Sequence, residues 1–102
     1  MVFVYITCKN RKEARKIGEV LVKEKLVACV NYFPIESIYF WDGKMTDDKE
    51  FVLLAKTVKK NFSKLEERVK ELHSYEVPCI VALPIAKINK KYGDWAKRQT
   101  KI

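Results

Sequence analysis

The 102-residue sequence has only three glycines and one histidine, and this scarcity excludes several kinds of active site. Three dispersed glycines leave no glycine-rich phosphate-binding loop, and the sequence contains no GxSxG motif. One histidine without an evident pair of carboxylates provides little for general acid–base catalysis. We therefore predict that the protein is not an enzyme.

Cysteine is also scarce, with three residues at wide and irregular spacing: Cys8, Cys29 and Cys79. An odd number argues against a disulfide framework and suits a reducing compartment, so we predict a cytoplasmic location. No CxxC pair is present, which means that any metal site must be assembled by the fold.

Apolar runs long enough to span a bilayer are absent as well. The apolar stretch at the start, Met1–Cys8, is too short for this and lacks the basic leader and cleavage site of a secretory signal. We predict neither a membrane segment nor export.

Charge is plentiful, with a formal net charge of +8. The lysines are spread over predicted helices and loops, whereas a nucleic-acid-binding stripe would cluster them. The aromatic motifs of RNA-binding domains with a similar fold are missing from the central strands. We therefore predict no nucleic-acid partner.

Hydrophobic periodicity predicts an α+β fold built from four strands and three helices. The predicted strands cover Met1–Cys8, Leu26–Trp41 with a bend at Pro34, Glu50–Val58 and Cys79–Ile85. The predicted helices run from a cap at Asn10 to about Lys25, over Phe62–Leu72, and after a cap at Asn89. Asp42-Gly43 predicts a hairpin turn. The order βαββαβ plus a C-terminal helix is that of a ferredoxin-like fold in a single domain, residues 1–102.

The strands are apolar at both alternating positions, which predicts burial on both faces of the sheet. Two main helices cover only one face, and a large exposed apolar patch is unusual. Burying the other face against further copies would supply on the order of 10 kcal/mol per subunit before association costs. We therefore predict an obligate oligomer.

Four segments in register resemble the CutA family: Leu26–Asn31, Tyr39–Lys44, Leu54–Thr57 and His73–Pro78. The resemblance extends over essentially the whole chain. It implies a ferredoxin-like subunit in a homotrimer with the architecture of PII signalling proteins, and a role in tolerance to divalent metals, copper foremost. Ser74 departs from the proline usual in the family, which predicts a freer loop.

Cys29 and His73 are the metal-ligand candidates, because both fall in family motifs and thiolate and imidazole are favoured copper donors. Copper is the expected ion, and zinc stays open. The alternatives are that Cys29 is a small buried apolar residue and that His73 only caps a helix. Cys8 and Cys79 are interpreted as packing residues.

A second set of residues is assigned to a ligand-binding or interface cleft: Tyr39, Trp41, Lys56 and Tyr75. The corresponding alternative function is a PII-like sensor that holds a small anionic ligand between subunits, with Lys56 as a donor. Asp47, Asp48 and Glu50 are interpreted as a solvated turn, and Tyr92 and Trp95 as core.

Overall fold

The computed structural model describes residues 1–101 and contains one four-stranded antiparallel sheet. Its strands are β1 (Val2–Cys8), β2 (Cys29–Trp41), β3 (Lys44–Thr57) and β4 (Ile80–Pro84), in the order β2-β3-β1-β4. The helices are α1 (Arg11–Lys23), α2 (Phe62–Leu72) and α3 (Lys90–Gln99), with a 3₁₀ turn at Lys59–Asn61. Since β3 lies between β1 and β2, the arrangement is the split β-α-β of a ferredoxin-like fold, as predicted.

The β2–β3 hairpin is longer than the sequence predicts. Strand β3 begins at Lys44, so the prediction that 46–49 lie outside the strand is wrong. The reason lies in the turn: Asp42 has φ 51° and Gly43 φ 73°, and two successive positive φ values make a two-residue loop that matches strand twist. Pairing therefore starts at once, with Trp41 opposite Lys44.

Helix α1 begins at the predicted cap. The Asn10 side chain accepts a hydrogen bond from the Glu13 amide at 2.9 Å, which satisfies one free N–H of the first turn. The helix ends at Lys23 rather than Lys25, because Lys25 has a left-handed backbone (φ 60°). Asn89 precedes α3 as predicted, but its side chain makes no capping hydrogen bond.

The core lies between α1, α2 and one face of the sheet. Its fully buried members come from β1, β3 and both helices: Val4, Ile6, Leu53, Ala55, Ile17, Leu21, Leu65 and Val69. Side chains along β1 alternate between buried and half-buried, so the two main helices cover one face of the sheet in the single chain. On the opposite face, which we call the open face, Phe33, Val81 and Leu83 are 41%, 45% and 44% exposed.

The prediction that Tyr92 and Trp95 are core residues is also wrong. Trp95 is exposed, Tyr92 is half-buried, and their rings lie 5.4 Å apart at the surface. Helix α3 instead turns its small residues inward, since Gly93 and Ala96 are buried. Among the helices of residues 1–101, none combines the length and apolar character needed to cross a bilayer.

One buried amide joins three chain segments at the end of the sheet where β3 stops. Asn61, 2% exposed, donates to the carbonyls of Thr100 at 3.1 Å and Leu26 at 3.4 Å. It also lies 3.4 Å from the Thr57 hydroxyl. The side chain thereby ties the end of α3 to the loop that precedes β2.

We expect Asn61→Leu to lower the free energy of unfolding by about 1–3 kcal/mol, because it leaves a buried carbonyl without a donor. Denaturant unfolding measures the loss. Asn89→Ala is the matched control, since this exposed amide makes no capping bond, and its change should stay within about 0.5 kcal/mol. Equal effects of the two variants would contradict the role of Asn61.

Candidate functional site

The single histidine lies at the end of α2, and its side chain is fully buried. Its Nδ1 accepts a hydrogen bond from the Tyr75 amide at 3.0 Å, so the proton of the neutral ring is on Nε2. Nε2 in turn donates to the Thr7 carbonyl at 2.7 Å. The imidazole therefore fastens the loop after α2 to the end of β1.

Ser74 holds the same loop from the other side. Its amide donates to Glu13 Oε2 at 3.1 Å, a bond that proline could not make because it has no N–H. This hydrogen bond to α1 gives the loop a tether at the position where the family usually has proline.

Three potential metal ligands meet beside this loop. Cys8 ends β1, Glu13 lies in the first turn of α1, and His73 follows α2. Their donor atoms all lie within 4.8 Å of one another, and each side chain is at least nine-tenths buried. We call this set the Cys8–Glu13–His73 cluster. The sequence analysis assigned Cys8 to packing, and the structure shows that it both packs and faces His73.

The cluster combines a thiol, a carboxylate and an imidazole. Burial raises the pKa of the Cys8 thiol to about 12, and the nearby charges of Glu13 and Glu50 add to the shift. Burial also opposes ionisation of Glu13, but the hydrogen bonds from Ser74 and Lys9 and the nearby imidazole outweigh it and lower its pKa. A thiol, a carboxylate and an imidazole fit a borderline or soft divalent cation.

A metal ion would have to change two existing bonds on entering. It would displace the proton of Cys8, and it would take the Nδ1 lone pair of His73 from the Tyr75 amide. The ion's own positive charge favours both changes, since it stabilises a thiolate directly. Within this chain the cluster would hold the ion through sulfur, oxygen and nitrogen.

Cys29 lies at the other end of the sheet. It opposes Lys56, which in turn opposes Phe3 of β1, whereas His73 contacts Thr7. Four residues of strand separate these levels by about 13 Å. One chain therefore does not bring Cys29 and His73 together. The Cys29 sulfur lies instead 3.8 Å from the Lys56 ammonium.

Lys56 has its own polar surroundings at this end. Its ammonium donates to the Asn31 side chain at 2.7 Å and lies 5.8 Å from the centre of the Tyr92 ring. This position is half-buried on the open face, where β3 approaches α3. Lys56 is thus separate from the other three residues assigned to the cleft.

Tyr39, Trp41 and Tyr75 do line one cleft, with a volume of about 460 Å³. It lies between the β2–β3 hairpin and the loop after α2, and we call it the aromatic cleft. Its polar lining includes two carboxylates, Glu50 and Glu76. The interpretation of Glu50 as part of a solvated turn is wrong, because it is only 7% exposed.

Two tyrosines of the cleft are hydrogen-bonded to carboxylates. The Tyr75 hydroxyl donates to Glu50 Oε2 at 2.7 Å, and the Tyr39 hydroxyl donates to Asp48 Oδ2 at 3.0 Å. Burial and the bond to Glu50 raise the pKa of Tyr75 far above its ordinary range. Both rings are therefore held as neutral phenols.

Comparison with known proteins gives consistent matches over nearly the whole chain. Residues 2–99 match the family described as "CutA1 divalent ion tolerance protein". The "Divalent-cation tolerance protein CutA" of Thermus thermophilus is 51% identical over 98 residues, covering 95% of each chain.

Solved structures agree with this chain in fold. One, described as the "Periplasmic divalent cation tolerance protein CutA" of Archaeoglobus fulgidus, has a TM-score of 0.96 and 40% identity, covering 99% of this chain and 100% of that one. Another, "PII-like protein CutA from Nostoc sp. PCC 7120 in apo form", has a TM-score of 0.91 and 31% identity, covering 99% and 98%. The fold of this chain is therefore similar to that of a protein described as PII-like.

Proposed function

This chain belongs to the CutA1 divalent ion tolerance family, and we propose that it binds divalent metal ions, copper foremost, and contributes to metal tolerance. The observation that carries the proposal is the Cys8–Glu13–His73 cluster, with three chemically different donors within 4.8 Å. Copper stands at the top of the divalent affinity series, and zinc accepts the same donors. No catalytic activity is part of the proposal.

Two metal positions are proposed on each subunit. His73 belongs to the first, where Cys8 and Glu13 lie beside it. Cys29, implied by the family resemblance, belongs to a separate second position at the other end of the sheet. The ammonium of Lys56 beside the Cys29 sulfur opposes a cation there, so we expect the first position to bind more tightly.

The working unit in this proposal is a homotrimer. Support comes from the open face, where Phe33, Val81 and Leu83 are more than 40% exposed, and from the apolar hairpin tip, where Ile38 and Phe40 are more than 70% exposed. Apolar surface of this extent is usually covered by a partner. A cytoplasmic location is proposed with it, supported by three cysteines that are all free thiols.

Copper and zinc titration of the purified protein tests the proposal. We expect Cys8→Ser and His73→Ala each to weaken copper binding about tenfold or more, because each removes a first-choice donor. Cys29→Ser should remove only the weaker position. Binding should also weaken as the pH falls, since both the thiolate and the imidazole must be free of protons.

Cys79→Ser is the matched control, because Cys79 lies in the aromatic cleft, outside the cluster. Circular dichroism of each variant reports whether the fold is kept. If Cys8→Ser, His73→Ala and Cys29→Ser all bound copper with the stoichiometry and affinity of the wild type, the assigned ligands would be wrong.

The second candidate function is a PII-like sensor that binds a small anionic ligand between subunits. The observation that favours it is the likeness to the Nostoc protein described as PII-like. The anion would lie at the Lys56 end of the sheet, because Lys56 offers an ammonium donor there. Loss of anion binding in Lys56→Gln would support this candidate.

A further inference from the structure

We propose that the aromatic cleft is a binding site for a small organic cation, an amine or guanidinium compound. The first argument is the sign of its charge. Its ionisable carboxylates are Glu50 and Glu76, and no lysine or arginine is among the side chains that line it. This is notable in a chain of net charge +8, whose surface is otherwise rich in lysine. An anion would be repelled from this cleft.

The second argument is that Glu50, which lines the cleft, is buried without an ion-pair partner. Its side chain is more than nine-tenths buried, yet no basic group within residues 1–101 forms an ion pair with it. A buried carboxylate without a cation is costly, because desolvation is not offset by an opposite charge. The Tyr75 hydroxyl offsets part of this cost at Oε2.

The other carboxylate oxygen of Glu50 is available to a ligand. Oε1 has no hydrogen-bond partner among the described residues. Every fully buried side-chain oxygen among these residues does have a partner. Oε1 must therefore reach the accessible surface, and Glu50 lines the aromatic cleft. An N–H donor in the cleft would form a charge-assisted hydrogen bond with it.

The third argument is the aromatic wall. Trp41 is 50% exposed and Tyr39 38% exposed, and both line the cleft with Tyr75. A cation over the face of an indole or phenol is attracted by the negative charge of the ring face, most strongly over Trp. Aromatic rings combined with a carboxylate are the surroundings that an ammonium or guanidinium group prefers.

The size and donor set favour an organic cation over a metal ion. A volume of about 460 Å³ suits a small molecule. Ca²⁺ needs six to eight oxygen ligands and Mg²⁺ about six in regular geometry, whereas this lining is mainly aromatic and apolar, with Val77 beside the rings. The site is also distinct from the Cys8–Glu13–His73 cluster, which contributes no side chain to the lining.

The fluorescence of Trp41, which lines the cleft, can report ligand binding. Trp95 is the other tryptophan of the chain, so Trp95→Phe leaves Trp41 as the sole indole reporter. We expect putrescine, arginine or tetramethylammonium to change its fluorescence saturably, and acetate and sulfate to leave it unchanged. Glu50→Gln, which keeps an acceptor for Tyr75, should weaken amine binding about tenfold. Glu76→Gln should weaken it less, because Glu76 is exposed.

Calorimetry with Trp41→Leu provides a second readout that does not need fluorescence, and this variant should also bind amines more weakly. Copper titration of Glu50→Gln separates this site from the metal site, since Glu50 acts on Cys8 only through its charge and copper affinity should change far less than in Cys8→Ser or His73→Ala. No saturable response to any of the three cations would overturn the proposal. It would equally fail if anions bound as tightly as amines. It would also fail if amines bound only after the oligomer was dissociated, because this would show that a neighbour's basic side chain fills the cleft.

Discussion

Replacing Leu83 by glutamate is expected to convert the assembly into folded subunits of 12.0 kDa. Leu83 opposes Phe3 of β1 and lies on the open face, 44% exposed in the single chain. If further copies cover this face, the substitution puts an unpaired carboxylate into an apolar interface, which costs several kcal/mol per subunit. Within a subunit the glutamate remains at the surface, so the fold should persist.

Sedimentation equilibrium at low micromolar concentration measures the change. Val22→Glu is the matched control, because Val22 is a similarly exposed apolar residue on α1 and not on the open face. We expect the wild type and Val22→Glu to sediment as trimers. A wild type that sediments as a well-folded monomer would refute the oligomer, and a trimeric Leu83→Glu would show that the open face is not the interface.

The overall fold follows from local patterns in the sequence. The hairpin turn at Asp42-Gly43 and the cap at Asn10 are each dictated by a few neighbouring residues, and the structure confirms both. The apolar strands were equally clear, but periodicity cannot tell burial within a chain from burial against a partner. The number of helices supplies the missing information, because two main helices cover one face and leave the other to further copies.

The candidate sites were harder to predict because they depend on distant segments. His73 was selected as a ligand, but its neighbours Cys8 and Glu13 lie 65 and 60 positions away in the sequence and meet it only in the fold. Knowing that the end of β1, the start of α1 and the end of α2 share one end of a split β-α-β unit would have indicated the cluster.

The charge of the aromatic cleft within one chain was hard to predict for a similar reason. Lys56 and Glu50 lie on the same face of β3, six residues apart, which is about 20 Å of extended strand. Grouping Lys56 with Tyr39, Trp41 and Tyr75 suggested an anionic ligand. The loop after α2 closes over the Glu50 end instead, so the tyrosines meet a carboxylate.

Alkaline pH is expected to destabilise the metal-free protein strongly through Cys8. The pKa of this buried thiol is raised from 9.0 to about 12 in the folded chain, so between these values the folded state holds a proton that the unfolded state has lost. Stability is therefore fully present below pH 9 and falls as the pH rises toward 12. A shift of this size corresponds to a loss on the order of 4 kcal/mol.

Denaturant unfolding at a series of pH values from 8 to 11, with a chelator present, measures the part of this loss between pH 9 and 11, about 3 kcal/mol. Tyr75 and Cys79 also have raised pKa values and contribute in the same direction, so the wild-type slope belongs to several groups. Cys8→Ala isolates one of them. It should be less stable than the wild type at pH 8, because it leaves a cavity in the core, but its stability should fall less steeply above pH 9. If Cys8→Ala kept the wild-type slope, the ionisation of Cys8 would not be a cause of alkaline unfolding.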